Sequence, residues 1–218
     1  GAESGLLVVA DMQSAGRGRR GRGWESPAGT NIYYTLMLKP DFSSDCAPML
    51  TLVMALAVAK GIRQTLRRDS EEAAAKVGIK WPNDIVVDGK KVCGILTEAG
   101  TDIESGQLEW LVVGIGLNLT ATAEDFPPEL TAKAGSLYPG GPAPVSRAAL
   151  AGAIGRELLA LCPGFACLDE YRARCFVPGH WVTVCTGRET YAALALSIDD
   201  AGRLVVRREN GREEALQH

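Results

Sequence analysis

The dipeptide Asp88-Gly89 places the strongest constraint on the fold, because it separates two strand-like segments by the shortest loop that a β-hairpin commonly uses. The segments read DIVV over 84–87 and KVCGILTE over 91–98. Asp-Gly is favoured in two-residue hairpin turns, since both of its residues accept a positive φ. The sequence therefore predicts two adjacent antiparallel strands in a fixed register.

This register decides which side chains share a face. The predicted pairs are Val87 with Lys90, Val86 with Lys91, Ile85 with Val92 and Asp84 with Cys93. Because paired residues point to the same side, Asp84 and Cys93 should share the face of Lys91, with Asp84 roughly 7–8 Å from Lys91 along the diagonal. At that distance the two could act on opposite ends of one reaction centre, and the alternative is an ordinary cross-strand ion pair on a solvated face.

The remaining segments indicate an α+β protein. β-Branched, aromatic and aliphatic runs bounded by glycine and proline predict strands at 6–10, 31–38, 77–81 and 108–119. Apolar residues at helical spacing predict helices over 47–66, with Ser44 or Asp45 as the cap, and over 147–161 and 168–176. After Pro178, the short segments WVTV, YAALALSI and RLVVRR predict a small all-β unit of roughly 40 residues.

Composition excludes several classes of protein. The 218 residues are 46% hydrophobic and 22% charged, which supports a buried core and argues against a disordered or fibrous chain. A net charge of −3 argues against a surface that attracts nucleic acid as a whole. The cysteines form no C-x-x-C pair and no uninterrupted apolar run reaches the ~18 residues that span a bilayer, so we expect a cytoplasmic protein with free thiols and no membrane partner.

The stretch AGRGRRGRGW at 15–24 concentrates four arginines among glycines. It matches the G-x-G-x-x-G pattern of dinucleotide-binding loops, but a strand follows it, so no helix N-terminus is available to hold a pyrophosphate. A solvated turn and an RG-rich RNA-binding segment with Trp24 stacked on a base both stay open. Arginines beside a tryptophan favour an anionic small ligand, because guanidinium groups bind carboxylate and phosphate bidentately. Such a loop should be mobile when empty and ordered when full.

Alternation in the segment 112–119 places Gly114, Gly116 and Asn118 on one face. Two glycines on one face leave room for a flat ligand against the backbone, and the asparagine could bind it through donor and acceptor together. The alternative is that the glycines mark a bend or close packing.

Three motifs, AGRGRRGRGW at 15, KWPNDIVVDGKKVCGIL at 80 and VVGIGLNL at 112, resemble in order and spacing the biotin protein ligases, or biotin–acetyl-CoA-carboxylase ligases. The resemblance covers nearly the whole chain. It implies a catalytic domain over 1–176, with a mixed β-sheet flanked by helices, and a small SH3-like β-barrel over 177–218.

The resemblance implies a two-step reaction. Biotin and ATP, with Mg²⁺, give biotinyl-5′-AMP and pyrophosphate, and a lysine of a biotin carboxyl carrier protein of acetyl-CoA carboxylase or a similar enzyme then displaces AMP. A homodimer is compatible with it. The family's Ser-Thr-Asn biotin-contacting motif would lie upstream of the first strand and is not found after Gly1, and no helix-turn-helix segment precedes the motifs. We therefore expect a ligase without an N-terminal DNA-binding domain and without a DNA partner.

The resemblance also implies site residues. Lys91 would neutralise the reacting carboxylate and phosphate, Arg19 would hold the adenylate, and Asp84 would guide and deprotonate the acceptor lysine. The residues expected to bind biotin are Gln13, Gly16, Arg17, Gly18, Arg19, Lys91, Gly94 and Gly114. The residues expected to bind ATP or the adenylate are Arg17, Arg19, Arg22, Trp24, Asn83, Lys91, Gly116 and Asn118. Lys80 and Asn83 would help to position magnesium or phosphate, with no dedicated metal site in the protein.

Three alternatives accompany this prediction. Lipoate and octanoyl transferases share the fold and also acylate a carrier lysine, although their characteristic loop sequences are absent from this chain. An inactive biotin-binding relative is compatible with the missing Ser-Thr-Asn motif. An RG-type RNA-binding protein would show salt-sensitive RNA retention and no nucleotide chemistry.

Overall fold

The computed structural model describes residues 3–39, 47–102, 104–161, 167–187 and 189–217, and it contains two β-sheets. The first sheet has six strands in the order β1-β2-β6-β5-β4-β3. Its strands are β1 Leu7–Ala10, β2 Asn31–Leu38, β3 Gly78–Lys80, β4 Asp84–Val87, β5 Lys90–Thr101 and β6 Leu108–Asn118. Every ladder among them is antiparallel, and parallel pairing occurs in two isolated bridges, Ile79 with Cys175 and Lys91 with Ala134.

Helices cover one face of this sheet. They are α1 Ala47–Arg67, α2 Glu71–Ala75, α3 Arg147–Leu161 and α4 Leu168–Arg174. Helix α1 is central, since its side chains from Leu50 to Ala59 are all buried. By length and composition Met49–Arg67 would suffice to cross a membrane, but 78% of its most apolar window is buried inside the protein, as in a core helix. Helices α1 and α3 approach closely at Gly61, where a Cβ would lie 2.8 Å from the Cα of Ile154.

The predicted helices are present, with small differences in their bounds. The cap predicted for α1 at Ser44 or Asp45 lies outside the described residues. Helix α2 was not predicted; it is a five-residue helix whose N-cap Ser70 accepts a hydrogen bond from the backbone N–H of Ala73 at 3.2 Å. So short a helix carries too few apolar residues to show a period.

The hairpin β4–β5 has the predicted turn but not the whole predicted register. Asp88 and Gly89 have φ of +49° and +75°, and the first two pairs after them are as predicted. A β-bulge at Val92 then adds one residue to β5, so Ile85 pairs with Cys93 and Asp84 pairs with Gly94. The predicted pairs of Ile85 with Val92 and of Asp84 with Cys93 were therefore wrong, because a bulge moves every later residue by one position.

The bulge changes what faces the site. Val92 and Cys93 are both buried in the core, and Gly94 takes the place beside Asp84. Burial raises the pKa of the Cys93 thiol well above its usual range, so this cysteine is unreactive. The prediction that Cys93 shares the face of Lys91 was wrong.

The second sheet has four antiparallel strands in the order β10-β9-β8-β7, which is consistent with an SH3-like unit. Its strands are β7 Trp181–Cys185, β8 Thr190–Ile198, β9 Leu204–Arg208 and β10 Glu213–Leu216, of which only β10 was not predicted. Two hydrogen bonds among its contacts help to fix this sheet to the rest of the protein. The indole Nε1 of Trp81 donates to the carbonyl of Gly202 at 3.0 Å, and Arg172 Nε donates to the carbonyl of Ile198 at 2.9 Å.

Candidate active site

A cavity of about 860 Å³ lies between the arginine-rich loop, residues 15–24, and the face of the six-stranded sheet that the helices leave uncovered. It collects nearly all of the sequence-predicted site residues: Gln13, Arg17, Gly18, Arg19, Arg22, Trp24, Lys80, Asn83, Asp84, Lys91, Gly94, Gly114, Gly116 and Asn118. Seven cationic side chains and three carboxylates are among the described residues that line it. In a chain of net charge −3, this local excess of positive charge favours an anionic ligand.

Gly16 is the predicted site residue that does not line the cavity. A Cβ at this position would lie 2.8 Å from Ser26 Oγ and would collide with the carbonyl oxygen of Trp24. Gly16 therefore permits the loop to close on itself, and its predicted contact with biotin stays a prediction.

The arginine-rich loop forms a small hairpin. The backbone N–H of Gly18 donates to the carbonyl of Arg22 at 2.7 Å, and that of Trp24 donates to the carbonyl of Gly16 at 2.9 Å. Between them, Arg20 and Gly21 have φ of +58° and +71°, and this left-handed turn sends neighbouring arginine side chains in different directions.

Arg19 turns towards the sheet. Its Nη1 donates to Asn83 Oδ1 at 3.1 Å, and the amide of Asn83 in turn donates to the carbonyl of Ile95. Burial and the neighbouring Arg20 charge lower the pKa of Arg19, and the Asp84 carboxylate opposes that shift. The guanidinium thus lies partly desolvated beside Asp84, where an anionic ligand would meet it with less competition from water.

Lys91 and Asp84 form an ion pair inside the cavity. Lys91 Nζ lies 2.6 Å from Asp84 Oδ1, with 35% and 23% of the two side chains exposed. The cross-strand ion pair given as the alternative is therefore present, because the long lysine side chain reaches across the diagonal from its position opposite Val86. The Lys91 ammonium also lies 5.2 Å from the centroid of the Trp24 ring, so one lysine joins the hairpin to the loop.

Trp24 lies on Gly116, one of the two glycines predicted to receive a flat ligand, and on Gly94 of the neighbouring strand; the other predicted glycine, Gly114, does not contact it. Gly94 and Gly116 are paired across β5 and β6, and a Cβ on Gly116 would lie 2.5 Å from the indole Cε2. A Cβ on Gly94 would lie 2.8 Å from the indole Cζ3. The Trp24 Nε1 is buried without a hydrogen-bond partner among the described residues. The glycine pair therefore seats an aromatic side chain of the protein itself.

Asn118 already uses its side chain within the protein. Its Nδ2 donates to the carbonyl of Gly135 at 3.0 Å, and its Oδ1 accepts from Asn31 Nδ2 at 3.3 Å. A ligand contact by donor and acceptor together stays a prediction, since it would need their remaining capacity. What the geometry shows is that Asn118 fixes the segment after residue 126 against the end of β6.

Several cavity residues were not predicted from the sequence, and two groups of them make contacts with predicted site residues. Phe126, Leu130 and Lys133 come from a segment without periodicity, which Lys91 anchors by accepting its backbone hydrogen bond from Gly135 and donating one to Lys133. Glu98 on β5 accepts a hydrogen bond from Arg17 Nη2 at 3.3 Å at the exposed edge of the cavity. Alternation along β5 beyond Gly94 was the signal that could have found Glu98.

Comparison with known proteins gives consistent similarities. Residues 1–118 match the biotin/lipoate A/B protein ligase family. The chain is 37% identical to the bifunctional ligase/repressor BirA of Bacillus spizizenii, in an alignment that covers 96% of this chain and 64% of that protein. It is 35% identical to the biotin–[acetyl-CoA-carboxylase] ligase of Paracoccus denitrificans, covering 98% of this chain and 88% of that protein. The chain thus spans slightly less than two thirds of the length of the Bacillus relative.

The fold is similar to that of the biotin protein ligase of Aquifex aeolicus in its complex with biotin and ATP. The superposition has a TM-score of 0.80 at 23% sequence identity, and it covers 100% of this chain and 88% of that one. The similarity extends across both sheets.

Proposed function

The chain belongs to the biotin/lipoate A/B protein ligase family, and from this premise we propose that it is a biotin–[acetyl-CoA-carboxylase] ligase. In this function it activates biotin with ATP as biotinyl-5′-AMP and transfers the biotinyl group to a lysine of a biotin carboxyl carrier protein. The observation that carries the proposal is that Arg19, bound to Asn83, and Lys91, paired with the adjacent Asp84, lie in one positively charged cavity. The name of the Paracoccus relative supports the choice of biotin.

The first chemical step explains the need for fixed cations. A biotin carboxylate oxygen attacks the α-phosphorus of ATP, and the bond from that phosphorus to the pyrophosphate oxygen breaks. Two anions must approach each other, so the barrier falls when cations are held where their charges meet. Lys91 and Arg19 supply such cations in this cavity, and Arg17 and Arg22 add charge on the loop.

The second step needs a neutral amine. The carrier lysine attacks the carbonyl carbon of the mixed anhydride, and AMP leaves with the electron pair of the broken C–O bond. Asp84 is the carboxylate beside this centre, and it would orient the incoming ammonium and accept its proton. The ion pair with Lys91 holds the Asp84 carboxylate in place until the acceptor arrives.

Mg²⁺ fits this cavity as a partner of ATP. Asp84 is paired with Lys91 and Glu98 with Arg17, and the described residues contain no group of three or more His, Cys, Asp or Glu side chains that could hold a metal. Phosphate oxygens would then supply most of its ligands, with Lys80 and Asn83 lining the same cavity. When bound, the ion would neutralise charge on the phosphates.

The domain organisation and the location are part of the same proposal. Residues 1–176 would form the catalytic domain and 177–218 the SH3-like domain, in a cytoplasmic enzyme whose protein partner is the carrier domain. Helix α1, the one long apolar helix among the described residues, is buried in the core, which is consistent with such a location.

Pyrophosphate exchange tests the proposal and separates it from the alternatives. We expect exchange of labelled pyrophosphate into ATP that depends on biotin and does not respond to lipoate or octanoate, followed by labelling of an isolated carrier domain. Exchange that requires lipoate or octanoate would support an acyltransferase of related fold. Biotin binding without exchange would identify an inactive relative. Salt-sensitive RNA retention without exchange would support the RNA-binding reading.

A further inference from the structure

Arg20 connects the arginine-rich loop to the second sheet. Its Nη1 donates to the carbonyl of Cys185 at 3.0 Å. Cys185 ends β7, one of the two edge strands of that sheet, so this strand has one side without a sheet neighbour. An arginine that reaches an edge carbonyl satisfies an acceptor that would otherwise depend on water.

The adjacent side chains of Arg19 and Arg20 therefore bind to different parts of the protein. Arg19 is bound to Asn83, in the turn between β3 and β4 of the first sheet, whereas Arg20 is bound to β7 in the second. The left-handed backbone of Arg20 produces this divergence, because a residue with helical or extended φ would project its side chain elsewhere. The loop tip is thereby held from both sides.

The loop tip, residues 19–23, makes few other contacts. No described atom lies within 4 Å of a Cβ built on Gly21 or on Gly23, so this part of the loop projects into open space. The second sheet, by contrast, is fixed to the core through Trp81 and Arg172. The hydrogen bond of Arg20 thus attaches the loop tip to β7, in a sheet that is itself packed against the core.

We propose that Arg20 is a positioning residue, which fastens the loop tip to the edge of the second sheet and so holds Arg19 over the cavity. This inference rests on the proposed function in one respect, that the retained ligand is an acyl-adenylate. The second sheet then contributes to retention of the intermediate through a backbone carbonyl, without touching the reacting atoms.

Three variants test this role. Arg20→Ala removes the tether, and Arg20→Lys keeps a cationic donor. Cys185→Ala is the matched control, because it changes the exposed side chain at the acceptor position and leaves the carbonyl in place. Tether loss should raise hydrogen exchange in the loop, since opening becomes easier when a closing contact is removed.

The first measurement is hydrogen exchange in the ligand-free protein, which does not depend on any enzymatic activity. We expect Arg20→Ala to speed exchange in the peptide 15–24 by about five- to tenfold, with β8 and β9 unchanged. Arg20→Lys should recover part of the protection, and Cys185→Ala should match wild type. Loop exchange in Arg20→Ala within about twofold of wild type, or equal loosening by Cys185→Ala, would overturn the tether.

The second measurement is dissociation of biotinyl-5′-AMP formed on the enzyme, followed by chase with unlabelled biotin. We expect about five- to tenfold faster dissociation from Arg20→Ala and an unchanged single-turnover rate of transfer to the carrier. Unchanged dissociation would overturn the retention role, and a slowed transfer step would make Arg20 catalytic instead. If wild type forms no adenylate, the proposed function fails, and the exchange measurement still decides whether Arg20 tethers the loop.

Discussion

At the scale of single residues, the candidate site depends on the ion pair between Lys91 and Asp84. Lys91 is 2.6 Å from Asp84, so in the proposed reaction its ammonium would be shared with the biotin carboxylate and the α-phosphate. We expect Lys91→Ala to slow adenylate formation by about 10²–10³, the usual loss when one preorganised electrostatic donor is removed. Biotin-dependent pyrophosphate exchange measures this rate.

Lys90→Ala is the matched control for this change. Lys90 is the exposed neighbour of Lys91 in β5, packs its stem near Gly135 and does not line the cavity. The Lys90→Ala variant loses the same charge from the same strand but not from the cavity. Its rate of biotin-dependent pyrophosphate exchange should therefore stay close to that of wild type. If Lys91→Ala kept a rate within about threefold of wild type, Lys91 would have no catalytic role.

In the proposed function, the Asp84 carboxylate acts in the second step. We expect Asp84→Asn to leave adenylation nearly intact and to slow transfer to the carrier lysine by about 10²–10⁴, because an amide cannot accept the proton. Single-turnover transfer from preformed adenylate is the measurement. Asp88→Asn in the hairpin turn is the control, since asparagine accepts the positive φ at that position. Impaired adenylation with unchanged transfer would reverse the roles given to Asp84 and Lys91.

At the scale of elements, the Trp24 ring packs against β5 and β6 because Gly94 and Gly116 have no Cβ. Gly116→Ala would bring a Cβ to 2.5 Å from the indole Cε2, so the ring must leave the sheet or the strand must move. We expect a loss of about 1–3 kcal/mol in the free energy of unfolding and a change in the near-ultraviolet circular dichroism of the ligand-free protein. Chemical denaturation and the spectrum measure both effects.

Gly114→Ala provides the control on the same face of β6. The nearest atom to its Cβ would be the Leu96 carbonyl oxygen at 3.6 Å, an ordinary contact. Its free energy of unfolding should change by less than about 0.5 kcal/mol, with the spectrum preserved. Equal effects of the two substitutions would mean that Trp24 does not rest on the glycine pair.

Some features of the β4–β5 hairpin could be predicted from the sequence, and others could not. The Asp88-Gly89 turn was predictable because local backbone preference decides it. The bulge at Val92 was not, since the hydrophobic pattern of β5 fits both registers until the core selects two adjacent buried residues, Val92 and Cys93. The ion pair between Lys91 and Asp84 was foreseen as an alternative, but on a solvated face, whereas the structure places it in a partly buried cavity.

The sequence motifs identified most residues of the candidate site, but not the contacts that these residues make with one another. The arginine-rich loop, the hairpin and β6 carry their motifs in short contiguous stretches, and the fold brings these to one cavity. That Trp24 would lie on Gly94 and Gly116, and that Arg20 would reach β7, depended on tertiary contacts between segments far apart in the chain. Local propensity contains no term for such contacts.

At the scale of the whole molecule, the second sheet is packed against the central helix. Gly202, in the turn between β8 and β9, accepts the hydrogen bond from Trp81 through its carbonyl and lies against Leu52 of α1. Leu52 is almost fully buried, so its side chain has little room to move. This contact joins the turn of one sheet to the core of the other, and a substitution at Gly202 can test whether both unfold together.

We expect Gly202→Ala to reduce the free energy of unfolding by about 2–4 kcal/mol in one cooperative transition. The Cβ would lie 2.9 Å from Leu52 Cδ2, which adds overpacking of about 1–3 kcal/mol to the strain of about 1 kcal/mol at φ +77°. Gly211→Ala isolates the strain, because φ there is +84° and no described atom lies within 4 Å of its Cβ. Denaturation followed by tryptophan fluorescence and circular dichroism gives both values. Equal losses in the two variants, or two separate transitions, would show that the second sheet is not coupled to the core through this contact.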